Sequence, residues 1–91
     1  MESYAQESYA VGSYAADFGP QAMVVRAGRA GETLVLHTPP GGARYVATLI
    51  DADPGLDVMG CVAGNDVVLV VCRGRDGVRG VLRHFHVEAE S

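Results

Sequence analysis

Two apolar runs stand back to back in the second half of the chain, VMGCVA over residues 58–63 and VVLVVC over residues 67–72, with only Gly64, Asn65 and Asp66 between them. A link this short between β-branched runs closes an antiparallel hairpin. The unbroken aliphatic run from Val67 to Val71 further implies a strand whose second face is not fully exposed to water. The three link residues leave two readings open. "AGND" is either a plain reverse turn, or a turn whose polar pair holds something.

A second hairpin is legible upstream. "AMVVRA" over 22–27 and "TLVLHT" over 33–38 are short β-branched and aliphatic runs separated by "GRAGE", a turn-forming link. After the interruption "PPGG" the period changes. Ala43, Val46, Ala47 and Ile50 fall at i, i+3, i+4 and i+7, the apolar face of an amphipathic helix. Pro54 and Gly55 end it. The spacing returns at Val78, Val81, Leu82 and Phe85, with Asp76 placed as the expected N-cap. Gly77 and Gly80 each weaken that helix by about 1 kcal/mol relative to alanine, so packing must hold it.

The order β-β-α-β-β-α predicts an α+β fold: a two-layer sandwich with an antiparallel four-stranded sheet and two helices. Residues 21–91 form this single domain. In residues 1–20 Ser-Tyr-Ala recurs at 3–5, 8–10 and 13–15, with Glu2, Glu7 and Asp17 and no basic residue. A period of five matches neither helix nor strand, so this stretch is expected to be a low-complexity, disordered acidic tail ending at Gly19-Pro20, the alternative being a short helix or an adhesive tyrosine-bearing segment. Because one sheet face is covered by helices and the other is also apolar, self-association is expected.

Charge and composition narrow the function classes. At 91 residues and net charge −4, with seven arginines and no lysine, the chain lacks the electrostatic footprint of a module that binds DNA unaided. No apolar run reaches transmembrane length and no secretory pattern opens the chain, so a cytoplasmic protein away from the membrane is expected. If "AGND" is a hairpin turn, Cys61 faces roughly position 68 and Cys72 roughly position 57, so a disulfide is not expected. No zinc spacing is present. His84 and His86 do not share a helical face and predict no metal site, and His37 reads as structural. Ser and Thr are few, and none can be assembled with a His and an acid into a nucleophilic constellation. Catalysis is not expected.

The first helix carries its charges against its own dipole: Arg44 in the first turn and Asp51 at the end. Seven residues apart, they lie on one stripe beside the apolar face. This is either a pair of solvated charges, or a salt bridge to another element, or a polar strip that answers a ligand bearing both signs.

"LVLHTPPGGARYVATLID" followed by "GCVAGNDVVLVVCR" resembles the C-terminal domain of the bacterial arginine repressors, in which "PG" leads into a helix ending in "L-x-D" and "AGDDT" precedes a strand. The resemblance covers about residues 24–85. It implies a domain that trimerises, with two trimers stacking into a hexamer and L-arginine bound at the trimer–trimer interface. No other cofactor is implied. The site residues it implies are Arg44, Asp51, Cys61, Ala63, Asn65 and Asp66. Asp66 would hold the ligand guanidinium and Asp51 is the candidate for its α-amino group, while Arg44, where relatives often carry a neutral glutamine or histidine, would either steer the carboxylate or repel the amine.

This sequence departs from that pattern in three ways. Asn65 stands where the family has an aspartate, so one charged partner of the guanidinium is replaced by a neutral amide. Cys61 and Val67 replace threonines. The family's winged helix-turn-helix domain has no counterpart in these residues, so no direct DNA contact is expected from them. The implied function is an arginine-sensing regulatory domain that controls arginine metabolism genes. The alternative is a ligand-blind interaction protein that enters mixed oligomers with a full-length repressor.

Overall fold

The computed structural model of the chain describes residues 23–90, and both hairpins and both helices form within them. The elements are β1 (Arg26–Ala30), β2 (Thr33–His37), α1 (Ala43–Asp51), β3 (Val58–Ala63), β4 (Val67–Cys72), α2 (Gly74–His84) and β5 (Ala89–Glu90). The Ser-Tyr-Ala repeat lies outside the described residues.

The sheet runs β3-β4-β2-β1-β5. Three of its pairings are antiparallel, and β5 joins β1 in parallel with Ala27 opposite Ala89. The expected four-stranded antiparallel sheet is therefore corrected to a five-stranded mixed one. The extra strand comes from "HVEAES", whose polar composition gives no alternation to read. Its pairing depends on main-chain hydrogen bonds rather than on a patterned face. Val87 and Ala89 pack against the core from this segment.

The first strand is also shifted. It occupies Arg26–Ala30 rather than the AMVVRA stretch, so Gly28 and Arg29 of the expected turn are strand residues. The turn is Gly31-Glu32, with Ala30 opposite Thr33. Gly31 has φ +64°, a conformation that two-residue hairpins assign to glycine. Met23 and Val24, read as strand, instead lead into it and are buried in the core.

Strand alternation decides which side chains enter the core. Leu34 and Leu36 of β2 and Val68, Val70 and Cys72 of β4 point to one face and are buried. They meet Ala43, Val46 and Ile50 of α1, Val78 and Val81 of α2, and Phe85. The other face of β3 and β4 leaves Met59, Val62, Leu69 and Val71 exposed in the single chain.

In α2 the expected cap is replaced. The helix starts at Gly74 after Arg73, and Asp76 falls inside its first turn. Glu32, reaching from the β1–β2 turn, accepts the Gly74 N–H at 3.2 Å. An acceptor distant in sequence thus does what the local aspartate was expected to do. Gly77 has a packing reason, since a Cβ there would run into the Asp57 carbonyl oxygen and lie 3.2 Å from Cys72 Cβ. Gly80 has none, for a Cβ there would meet nothing within 4 Å.

Candidate functional site

The turn between β3 and β4 is clamped to the start of α1 through the main chain. Ala63 pairs with Val68, and the Gly64 N–H donates to the Val67 carbonyl at 2.7 Å, so the turn proper is Asn65-Asp66. The Asn65 carbonyl accepts the N–H groups of Gly41 at 3.1 Å and Ala43 at 3.3 Å. The Asp66 carbonyl accepts the Thr38 N–H at 2.9 Å. α1 has no side-chain N-cap, and Asn65 satisfies an otherwise orphaned donor of its first turn.

The loop "TPPGG" is shaped to allow this. Gly41 takes φ +82°, and a Cβ on Gly42 would lie 2.8 Å from Met23 Cε and 3.3 Å from Thr38 Oγ1. The Gly42 N–H closes a turn onto the Pro39 carbonyl at 2.9 Å. Because these bonds use only backbone atoms, the Asn65 amide and the Asp66 carboxylate take no part in holding the turn. Both residues are exposed, and among the described residues neither side chain has a hydrogen-bond partner.

Further along the same seam, Cys61 of β3 meets α1. Its Sγ lies 3.5 Å from Asp51 Oδ1 and 3.8 Å from the Ala47 carbonyl oxygen. Burial pushes the thiol up, and the Asp51 charge and hydrogen bond push it further, to about 11. At neutral pH Cys61 is a protonated thiol that can donate to the carboxylate. It is a weak nucleophile.

Arg44 and Asp51 project on the same side of α1, since seven residues at about 100° each return to within about 20°. That side faces β3, as the Asp51–Cys61 contact requires. The six residues singled out from the sequence therefore lie along one edge of the domain, where α1 runs beside the edge strand β3. Arg44 and the Asn65-Asp66 turn occupy one end, Ala63 the middle, and Cys61 with Asp51 the other. The two formal charges of α1 stand about 10 Å apart along the helix axis. Arg44 thus stands at the Asp66 end of the strip, away from Asp51, and not where a ligand carboxylate next to an amino group held by Asp51 would lie.

The hairpin register is two residues from that expected for Cys61, which faces Val70 rather than position 68. Cys72 faces Val58. The two thiols remain out of register and both are free. His84, the last residue of α2, faces Asp53, Nδ1 to Oδ2 at 3.6 Å, and packs edge-on against Phe85. His86 is exposed at φ +54°. Among the described residues no group of three His, Cys, Asp or Glu side chains is placed to hold a metal ion, and no helix is long and apolar enough to cross a membrane. Sequence reasoning missed the main-chain role of Asn65 and the Cys61–Asp51 contact. Neither leaves a spacing signal, because each joins elements distant along the chain.

Residues 21–86 match the family described as "Arginine repressor, C-terminal domain". Among similar proteins, the arginine repressor of Streptococcus equi subsp. zooepidemicus is 49% identical over 53 residues, 58% of this chain and 37% of that protein. That of Streptococcus pyogenes serotype M3 is 44% identical over 64 residues, 68% of this chain and 44% of that protein. That of Bifidobacterium adolescentis is 43% identical over 54 residues, 59% of this chain and 31% of that protein. The matched stretches thus span from about a third to under half of the length of these curated relatives.

Proposed function

The chain belongs to the arginine repressor family, through the C-terminal domain of that family, and on that premise we propose that it is an amino-acid-sensing regulatory domain. In this reading L-arginine lies along the α1–β3 edge at an interface between copies and tightens their association. Transcription of arginine metabolism genes is controlled through that assembly. The reading assigns no chemistry to the chain, and no cofactor beyond the ligand. Operator contact is not assigned to residues 21–91.

One observation carries the proposal. The Asn65-Asp66 turn is held by backbone bonds from "TPPGG", Ala43 and the Gly64–Val67 pair, which leaves its two polar side chains without a hydrogen-bond partner among the described residues. Asp66 offers a carboxylate to a guanidinium, whose planar fork of donors favours charged, bidentate acceptors. Asp51, oriented by the Cys61 thiol, offers a second carboxylate two helical turns away for an α-amino group.

Self-association is supported by the open sheet face. Met59 is 67% exposed, Val62 68%, and Leu69 and Val71 each 43%. An apolar row of this kind on a small soluble chain calls for cover. A trimer, and a hexamer of two trimers, is the assembly proposed.

Asn65 favours a second reading, in which the chain no longer responds to arginine and acts by entering mixed oligomers with a full-length repressor. An amide in place of the family's aspartate removes one charge-assisted contact, about 1.5–3 kcal/mol. Sedimentation equilibrium with and without millimolar L-arginine separates the two. A trimer converting to a hexamer supports the sensor. An oligomer indifferent to arginine supports the interaction protein, and a monomer under both conditions overturns both.

A further inference from the structure

The loose arginine cluster between residues 73 and 83 is not used by the site above, and the fold organises it. Arg75, Arg79 and Arg83 follow one another at i, i+4 and i+8 on α2, and all three are exposed. At 1.5 Å per residue they form a stripe about 12 Å long, directed away from the buried side that carries Gly77, Val78 and Val81. Arg79 makes an exposed pair with Asp76 at 3.7 Å, Nη1 to Oδ1. Among the described residues Arg75 and Arg83 have no acidic partner. A stripe with net positive charge stands here on a chain whose formal charge is −4.

The complement to that stripe is in the same chain. The N-terminal residues before Met23 hold Glu2, Glu7 and Asp17 and no Lys or Arg, so this quarter of the sequence carries most of the net negative charge. The acids fall at the same phase of the five-residue repeat, with Tyr4, Tyr9 and Tyr14 between and beside them. Guanidinium groups pair with carboxylates and stack on phenol rings. The repeat therefore offers arginine both kinds of partner in alternation.

From these two observations we infer that the acidic Ser-Tyr-Ala segment of residues 1–17 docks intramolecularly on the Arg75–Arg79–Arg83 stripe of α2. Reach permits it. The described chain starts at Met23, which is buried on the helix-covered side of the sheet, and α2 belongs to that same layer. Twenty-two residues can span up to roughly 70 Å, against a longest molecular extent of 36 Å. Tethering favours this occupant over a free polyanion. A segment joined through a short linker acts at millimolar effective concentration, whereas nucleic acid in solution is repelled by the overall negative charge. None of the residues of the arginine site takes part in this contact, so the two stand or fall separately.

The test is chymotryptic cleavage of the full chain after Tyr4, Tyr9 and Tyr14, followed by mass spectrometry at low salt and at 0.5 M NaCl. Exposed ion pairs are individually weak and screened by salt, so three together should slow cleavage about tenfold at low salt and lose that protection at high salt. The triple variant Arg75→Gln, Arg79→Gln, Arg83→Gln should be cut at the high-salt rate under both conditions. Glutamine keeps helix propensity close to that of arginine, and circular dichroism checks the fold. The tail variant Glu2→Gln, Glu7→Gln, Asp17→Asn leaves the folded domain untouched and should give the same result. Equal low-salt rates in the wild type and both variants would overturn the inference. Protection that grows with protein concentration would overturn its intramolecular form by placing the segment on a neighbouring copy.

Discussion

The Sγ of Cys61 lies 3.5 Å from Oδ1 of Asp51, joining the edge strand to the end of α1 by one contact. Burial is the larger reason that the thiol is raised to about 11, and the carboxylate is the second. Replacing Asp51 by Asn removes the charge and leaves the burial. The Cys61 value should then fall part of the way toward 9.0, and iodoacetamide should label Cys61 several-fold faster at pH 8. Cys72 is buried and gives a slow background. Unchanged labelling would detach Asp51 from the thiol.

The same shifts give alkaline behaviour a sign. Both Cys61 and Cys72 are raised from 9.0, the second chiefly by burial. A thiol is neutral when protonated, so a raised folded-state value favours folding fully below the unfolded value. That contribution is lost as pH climbs through the folded value. Denaturant midpoints should hold below pH 9 and decline toward pH 11. The double change Cys61→Ser, Cys72→Ala should flatten that decline, which urea titrations across pH 8 to 11 would register.

At the turn, backbone and side chain are separable. The Asn65 carbonyl holds α1 through Gly41 and Ala43, and changing the side chain leaves those bonds in place. Asn65→Asp should therefore preserve the melting profile while raising L-arginine affinity ten- to a hundredfold, as one added charge-assisted contact would. Asp66→Asn should lower affinity by a similar factor. Isothermal titration calorimetry on the pair decides whether the turn is the guanidinium end of the site.

Periodicity made the central parts of this fold readable. β4 alternates buried Val68, Val70 and Cys72 with outward Val67, Leu69 and Val71, and α1 buries Ala43, Val46 and Ile50 as its 3.6-residue period requires. The parts that escaped are held by non-local or main-chain contacts. β5 is a polar segment that only its pairing with Gly28 and Ala27 makes a strand. The start of α2 is set by Glu32, 42 residues away in sequence. The candidate site was nameable by resemblance, but the reason that the Asn65 and Asp66 side chains take no part in holding the turn lies in carbonyls, which side-chain identity does not reveal.

The two glycines of α2 should behave in opposite ways. A methyl at Gly80 meets nothing within 4 Å, whereas one at Gly77 collides with the Asp57 carbonyl. Gly80→Ala should stabilise by about 0.5–1 kcal/mol, through lower unfolded-state entropy and better helix propensity. In a domain this small that corresponds to a rise of a few degrees in Tm. Gly77→Ala should lower Tm, because the α2 backbone must move off the segment before β3. Thermal melts of both variants by circular dichroism suffice. If both were stabilising, the close packing at Gly77 would be refuted.

Across the open sheet face, Val62 of β3 stands opposite Leu69 of β4, and Leu69 opposite Val35 of β2, so three aliphatic side chains form a row across three strands. Cross-strand neighbours of this kind behave as one patch, and a charge in the middle breaks it on both sides. Leu69→Lys places the ammonium at the centre of that row, where Leu69 is already 43% exposed and the folded monomer can keep the charge in water. The far-UV spectrum should be unchanged. The assembly should not survive, since burying an unpaired ammonium between copies is strongly unfavourable. Sedimentation equilibrium should then return a monomer. A Leu69→Lys protein that still sediments as an oligomer would show that the copies meet elsewhere, and would remove the sheet face from the proposed assembly while leaving the α1–β3 edge to be tested by arginine alone.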